Sequence, residues 1–362
     1  MGRLSALWYS FRKCRVPPGD SVDGVTRLIA ASRLCVIPMT FYSVSIGAGL
    51  AWLLEGKFRL TLYSALLVAF VLTHLLDNLV NDYYDYKSGL DEPSYFRSLY
   101  GPHPFIDGIV SRSELKITVL VIGVYDALLA AYLGVRVSPL IPVLAVVGAA
   151  VIASYAGLFF DAKRYGLGEV LVAIVWGPVI AGGTYLALTG HHPPLVAILY
   201  LPYAAAVSLV LIGKHMDKYV HDKSKGIGTL PVRLGLENSK KLAITLSLLI
   251  PVTSFLAFYY TTRSLLSVLL LLPLLTASTV SYTVFSKDKP EKPPKNWDVW
   301  PLWYVAASYA VMDSVGRTTL LSIIILGLYM KGASIVTLAL VGIITAWEIF
   351  SASLLYRITQ YN

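Results

Sequence analysis

Asp77, Asn78, Asn81, Asp82, Asp85 and Asp91 fall within the stretch 77–91, which closes an apolar run that begins near Leu60. Charge at the end of a membrane-spanning segment is costly and usually functional. On a helix, Asp77, Asn81 and Asp85 recur every four residues and share one face, with Asn78 and Asp82 in the adjacent row. Such a face of oxygens can hold a hard cation. A polar helix end marking the water boundary accounts for one such residue, but not for so many converging carboxylates. A second set, Asp217, His221 and Asp222 with Lys214 and Lys218, follows a later apolar run. Between the two sets, Lys163 and Arg164 form a basic pair that can close on a diphosphate, arginine through its planar fork and lysine as a point charge, or simply set topology.

Two carboxylate sets facing each other beside a membrane-embedded cavity suit a substrate with a diphosphate head and a long apolar tail. Each set can seat one Mg²⁺ against phosphate oxygens, two ions bridging the diphosphate and neutralising it as it leaves. Departure from an allylic carbon generates a carbocation, which aromatic faces stabilise. Tyr83, Tyr84, Tyr86, Tyr155 and Tyr219 lie near the acids in sequence, although tyrosine is also common at membrane interfaces.

The elements that must position these groups are apolar helices. The chain has 362 residues, 56% hydrophobic and 14% charged, which predicts an all-α polytopic membrane protein. Spans are expected near 32–54, 60–82, 117–135, 139–158, 168–189, 195–213, 242–261, 264–285, 302–329 and 334–356. Asp313 and Arg317 interrupt the ninth, and Trp297, Trp300 and Trp303 suggest an interfacial approach to it, so the count is nine or ten. The expected bundle surrounds a central cavity open to the cytosol and laterally to lipid. With a cytosolic N-terminus, the even-numbered connections carry most lysines and arginines and all the chemically rich loops face the cytosol, in the cell (plasma) membrane.

Residues 1–28 read as a retained basic cytosolic tail with no cleavage site, and 29–362 as one transmembrane domain. Two pseudo-equivalent four-helix halves, about 32–158 and 168–285, would each present acids at the same face, followed by C-terminal helices over 302–356. Cys14 and Cys35, in the tail and the first span, support neither a disulfide framework nor a cysteine metal site. The net charge of +9 is spread over loops between spans, so the positive-inside bias explains it and no nucleic-acid partner is expected.

The run Asn81-Asp82-Tyr83-Tyr84-Asp85-Tyr86-Lys87-Ser88-Gly89-Leu90-Asp91 resembles the first aspartate-rich motif of the UbiA-type intramembrane prenyltransferases. It is most similar to the branch that prenylates 1,4-dihydroxy-2-naphthoate in menaquinone synthesis. Tyr165-Gly166-Leu167-Gly168-Glu169 resembles that family's connection into the fifth span, and Thr229-Leu230-Pro231-Val232-Arg233-Leu234-Gly235 the tail of its second motif. The resemblance covers about 30–356. It implies a nine-helix bundle around a lateral cavity, Mg²⁺ dependence, a polyprenyl diphosphate donor and a small aromatic acceptor. It places Asn81, Asp82, Asp85 and Asp91 at the first metal and diphosphate site, and Asp222 with Asp217 at the second.

Two departures from the family pattern stand out. Its second motif spaces its acids four apart, whereas Lys218 stands four before Asp222 and Asp217 five before. Five residues turn an ideal helix by about 140°, so one metal bridges both carboxylates only if the helix ends or unwinds there. Otherwise His221 replaces an acid, or Lys214 and Lys218 contact the diphosphate directly. The Arg-Pro that commonly follows the first motif is replaced by 101–108, which leaves Arg97 and His103 as candidates to hold the diphosphate. His74 and Asp126 fall inside spans and face either the cavity or a neighbouring helix. His191 and His192 read as a solvated turn, and 287–295 as a stiff basic linker.

The expectation is therefore a prenyltransferase moving a polyprenyl group onto a quinone-precursor ring and releasing diphosphate. Lys163, Arg164, Lys214, Lys218, Arg97 and Tyr155 would contact the donor, and membrane lipid is the surrounding partner. A glycerol-phosphate ether or a tetrapyrrole acceptor is the alternative within the same fold. An ion-coupled transporter using Asp77, Asp126 and Asp313 is the alternative outside it, disfavoured because the acids gather at one face beside basic loops.

Overall fold

The computed structural model describes residues 3–17, 22–93 and 95–359, so positions 1, 2 and 18–21 of the expected tail lie outside the described residues. Within that range the chain is helical with no strand, because only intrasegment hydrogen bonds satisfy a lone backbone segment in lipid. Among the described residues nine helices are long and apolar enough to cross a membrane: Leu34–Glu55, Leu60–Lys87, Arg112–Arg136, Gly168–Thr189, Pro194–Asp217, Leu236–Thr262, Leu265–Phe285, Tyr304–Met330 and Ser334–Thr359. The expected 139–158 span is the shorter Leu140–Tyr155 helix, at 16 residues.

Several helices outrun their apolar cores, for local reasons. The third span begins at Arg112 because Ser111 Oγ accepts from the Glu114 N–H while the Glu114 carboxylate accepts from the Ser111 N–H. The second continues to Lys87, so Asp77, Asn81, Asp82 and Asp85 are all helical and keep the expected two-row arrangement. Within Gly168–Thr189 the turns widen over Val175–Gly182 around Pro178, which has no N–H to donate. Ser43 Oγ donates to the Trp176 carbonyl there, so a neighbouring helix supplies a partner for backbone in the widened segment.

The Pro194–Asp217 helix is the central post. It packs on Tyr304–Met330 and Leu236–Thr262, and 67% of its apolar stretch is buried, against 17% for Leu60–Lys87 and Ser334–Thr359. The contact with Tyr304–Met330 is close because Gly213 has no side chain, as is usual where helices meet in lipid. A Cβ there would lie 2.3 Å from Ser308 Oγ and 2.6 Å from the Tyr304 carbonyl oxygen.

The charges that made the ninth span uncertain are neutralised within the bundle. Arg317 pairs with Asp313 one turn away at 2.5 Å and with Glu348 of the last helix at 2.6 Å, and Tyr42 donates to Asp313 at 3.0 Å. The tail is more ordered than a solvated extension. It forms helices Arg3–Lys13 and Gly24–Ala31, and Cys14 is disulfide-bonded to Cys35 with Cα atoms 5.4 Å apart. The expectation of no disulfide is thereby corrected: the tail folds back on the start of the first span and brings the two cysteines within bonding reach.

Gly213→Ala should lower stability by about 1–3 kcal/mol, the usual range for overpacking, because the obstructing atoms include backbone. Gly123→Ala, where an added Cβ meets nothing within 4 Å, should leave stability unchanged or raise it. Thermal unfolding of the two variants in detergent checks both, and equal midpoints would refute the close-packing account.

Candidate functional site

Helical periodicity sorts the first acidic set into two rows, and the structure gives the rows different partners. In the row of Asp77, Asn81 and Asp85, Asn81 Nδ2 donates to Asp85 Oδ2 at 3.1 Å. Lys163 Nζ donates to Asn81 Oδ1 at 3.2 Å and forms a buried ion pair with Asp85. Lys163 arrives on the short Ala162–Tyr165 turn, closed by Gly166 at φ +70°, a conformation suited to glycine. Burial is the largest single effect and alone would lower the Lys163 pKa, but the Asp85 carboxylate, through its charge and its hydrogen bond, together with Asp161 and Asp91 holds the ammonium above its ordinary value. Lys163 also lies over the Tyr155 ring at 5.7 Å.

In the other row, Asp82 is enclosed by two guanidinium groups. Arg33 forms an ion pair with it, and Arg97 donates from Nε at 3.1 Å and Nη2 at 2.8 Å. Arg97 Nη2 also reaches the carbonyls of Ala31 at 3.3 Å and Pro102 at 3.1 Å, while Arg33 Nη1 donates to Asn78 Oδ1 at 3.3 Å. This knot fastens both the start of the first span and the loop after Lys87 to one helix. Burial is the largest single effect and lowers the Arg33 pKa, but the Asp82 charge, joined by Tyr100, Asp91 and Tyr155, raises it above its ordinary value. Asp91 lies just beyond the helix and meets His103 Nε2 at 3.1 Å. The carboxylates of Asp82 and Asp91 and the His103 ring offer ligand atoms within 4.8 Å of one another, all buried.

The second set does not sit on one helix. Its first helix ends at Asp217 and a new one runs Tyr219–Ser224, so the two acids diverge. Asp217 Oδ1 takes Lys289 Nζ at 3.0 Å, while its Oδ2 accepts the N–H groups of Trp303 at 2.9 Å and Val305 at 3.0 Å. It thus places negative charge on the start of Tyr304–Met330, where the helix dipole favours it. Asp222 instead meets the first loop: Tyr95 donates its hydroxyl to Asp222 Oδ1 at 2.6 Å, with Lys218 Nζ at 3.4 Å. Lys225 Nζ adds a bond to the Leu90 carbonyl at 2.8 Å. Burial, and then the Asp222 carboxylate, push the Tyr95 phenol pKa up, with smaller contributions from Asp91 and Asp85. One phenol therefore feels carboxylates of both sets.

Below the acids lies a cavity of about 1020 Å³, mainly apolar in lining, with Arg33, Asp77, Asn81, Tyr155 and Lys214 among its polar wall groups. The structure thus gathers Asn81, Asp82, Asp85, Asp91, Lys163, Lys218, Asp222 and Arg97 around the joined loops, with Tyr155 and Lys214 on the cavity wall. Asp217 is turned to Lys289. Arg164 is exposed and bonded to Asp161 Oδ2 at 2.7 Å, away from the acids. His221 packs edge-on to Tyr95 and tilted against Phe96, with no hydrogen bond to a carboxylate among the described residues. Sequence reasoning did not single out Arg33, Tyr95, Lys225 or Lys289. Arg33 carried one signal, a basic residue at the start of an apolar span, which the positive-inside bias also explains. The acid-row donors are all oxygen atoms, the chemistry that suits Mg²⁺, with lysines beside them for an anion.

Comparison with known proteins places these features. The UbiA prenyltransferase family model matches residues 42–307. UbiA prenyltransferase domain-containing protein 1 of Danio rerio is 29% identical over 57% of this chain and 62% of that relative, under two thirds of its length. The 1,4-dihydroxy-2-naphthoate octaprenyltransferase of Escherichia coli is 28% identical over 57% of this chain and 67% of its own. A UbiA homologue from Archaeoglobus fulgidus, solved with GPP and Mg²⁺, superposes with a TM-score of 0.57 at 14% identity, covering 82% of this chain and 99% of that one. The chain belongs to the UbiA prenyltransferase family, and it is an integral membrane protein.

Asp82→Ala would leave Arg33 and Arg97 buried without their counter-charge, at an expected cost of about 3–5 kcal/mol, read as a large fall in the thermal midpoint in detergent. Arg164→Ala, whose pair with Asp161 faces solvent, should move the midpoint by the equivalent of about 0–1 kcal/mol. Equal shifts in the two variants would contradict the partition of these charges.

Proposed function

We propose that this chain transfers a polyprenyl group from an allylic polyprenyl diphosphate to a hydroxylated aromatic quinone precursor, releasing diphosphate at the cytosolic face of the cell membrane. The observation that carries the reading is the junction of the two acid-bearing loops, Tyr95 on Asp222 and Lys225 on the Leu90 carbonyl, above a largely apolar cavity. Acids and lysines at the mouth suit a diphosphate, and the cavity suits its tail. The acceptor class follows the Escherichia coli relative named for 1,4-dihydroxy-2-naphthoate, and an apolar wall containing Trp176 and Tyr155 is compatible with an aromatic ring. The basic loops at the acidic face support a cytosolic orientation.

Asn81, Asp85 and Asp91 from the first loop side and Asp222 from the second would hold Mg²⁺. When bound, the metal supplies positive charge to the departing diphosphate. Lys163, already drawn to Asp85 and Asn81, is placed to exchange those partners for phosphate oxygens, with Lys218 across from it and Lys214 on the wall below. Asp82 holds the arginine knot and Asp217 holds the start of Tyr304–Met330, so both shape the site, and Asp82 also stands in the buried trio with Asp91 and His103 that could take a metal. The Tyr155 ring presents a π face beside Lys163 at the cavity, where a cation developing on the allylic carbon would be stabilised in a dry site. Acceptor attack on that carbon then completes the transfer.

The test uses the purified full chain in detergent with Mg²⁺, labelled geranylgeranyl diphosphate and 1,4-dihydroxy-2-naphthoate, with the product identified by mass spectrometry. Wild type should form a prenylated ring, chelation of the metal should stop turnover, and Asp85→Ala or Asp222→Ala should reduce it by at least about 10–100-fold. Undiminished turnover in both variants would remove the proposed site. Transfer to a glycerol-phosphate ether in place of the ring would reassign the acceptor, and ion flux without diphosphate release would reassign the class.

A further inference from the structure

One face of the Leu60–Lys87 helix carries a polar ladder, Thr73, Asp77, Asn81 and Asp85, spaced every four residues, and its first three rungs line the cavity. Three rungs are engaged by protein groups. Asp85 and Asn81 are held by Lys163, and Thr73 Oγ1 donates to Asp126 Oδ2 at 2.6 Å. Neighbouring polar groups on the helix are engaged too: His74 Nδ1 lies 2.8 Å from Thr40 Oγ1, and Asn78 Nδ2 donates to the Ser32 carbonyl at 3.1 Å. Asp77 differs. It lines the cavity, and its Oδ1 is buried with no hydrogen-bond partner among the described residues. A carboxylate left this way costs more than a surface one, so a buried unpaired oxygen asks for an explanation.

We infer that Asp77 forms the acceptor subsite, taking the hydrogen bond of an acceptor hydroxyl and holding its proton during transfer. Depth supports this. At 1.5 Å per residue, Asp77 lies about 6 Å further into the cavity than Asn81 along the helix. If the diphosphate sits at Asn81 and Asp85, the allylic carbon lies next to it on the cavity side. The attacking acceptor atom must come within about 3–3.5 Å of that carbon, which brings a ring hydroxyl to the level of Asp77. Placement agrees, since Tyr155 and Lys214 line the same cavity as Asp77. The subsite therefore lies among the cavity groups already placed beside the donor.

The step balances as follows. The ring carbon beside the hydroxyl forms its bond to the allylic carbon as the carbon–oxygen bond to the diphosphate breaks, and that electron pair leaves with the diphosphate. The hydroxyl proton passes to Asp77, leaving the ring as its keto tautomer. The attacked carbon then gives its proton to the diphosphate, and the oxygen regains the proton held by Asp77.

This inference rests on the proposed function, and the experiment separates the two. In wild type, Asp77→Asn and Asp77→Ala, the affinity for geranylgeranyl diphosphate with Mg²⁺ is measured alongside kcat and KM for a hydroxylated naphthoate and for its O-methyl ether. Both variants should retain donor affinity and lose about 10–100-fold in acceptor kcat/KM, the effect of losing a charged hydrogen bond. Wild type should prefer the free hydroxyl, and Asp77→Ala should shrink that preference about tenfold or more. Unchanged acceptor kcat/KM in both variants, or donor affinity falling in step with it, overturns the assignment of Asp77 and leaves the transferase reading standing. A wild-type protein that prenylates no hydroxylated acceptor overturns both.

Discussion

The structure depends on one constraint: a carboxylate taken out of water must find a positive or hydrogen-bonding partner, and the partner it finds decides where the chain goes. Asp82 meets this with Arg33 and Arg97. Because Arg33 precedes the first span and Arg97 lies in the loop after the second, neutralising one side chain fixes both segments on the Leu60–Lys87 helix. Removing either arginine would leave the other to balance the charge, but the corresponding segment would lose its anchor. The knot is therefore a folding device as much as an electrostatic one.

The same constraint accounts for how so many charges fit beside a membrane cavity. Asp85 has Lys163, Asp222 has Lys218 and the Tyr95 hydroxyl, Asp91 has His103, and Asp217 has Lys289 with two backbone N–H groups. Each of these four acids has a local partner, so their charges are largely met by the chain's own groups, with Asp77 the exception. A bound diphosphate with its metal would have to exchange with these partners rather than fill an empty field. Asp217 cannot exchange freely, because its oxygens also hold the start of Tyr304–Met330. Asp85 is held mainly by the Lys163 side chain, and Asp222 shares the Lys218 ammonium with its Tyr95 bond, so in each case a lysine can exchange its partner.

The spans were legible because their cause is local: apolar runs of the right length leave the backbone no other solution in lipid. The two rows of acids were legible for the same reason, since helical period fixes which residues share a face. Partner choice was not. Arg33 meets Asp82 across 49 positions, Tyr95 meets Asp222 across 127, and Lys289 meets Asp217 across 72. No spacing rule reaches that far. The pairing of Cys14 with Cys35 was missed similarly, because two lone cysteines carry no pattern until the tail folds back. At the second acidic set the four-residue period itself fails. The helix stops at Asp217, so counting residues from there to Asp222 crosses a break and no longer predicts a face.

That break makes the two halves of the site physically unlike. Asn81 and Asp85 are held one turn apart by the backbone hydrogen bonds of a long helix, so their relative position costs no further ordering. Asp222 sits on a six-residue helix between turns. Its position relative to the first set is maintained by Tyr95, Lys218 and Lys225, and the last two also lie over the Tyr95 ring at 4.8 Å and 5.0 Å. Tyr95 therefore supplies a hydroxyl to the acid and a π face to both lysines, with its ring buried. Losing the phenol oxygen alone would remove the acid's short hydrogen bond and leave the cation contacts, whereas losing the ring would remove all three. The first half of the site is thus rigid by secondary structure and the second by a single side chain from the first half's own loop, which makes the geometry between them a property of Tyr95.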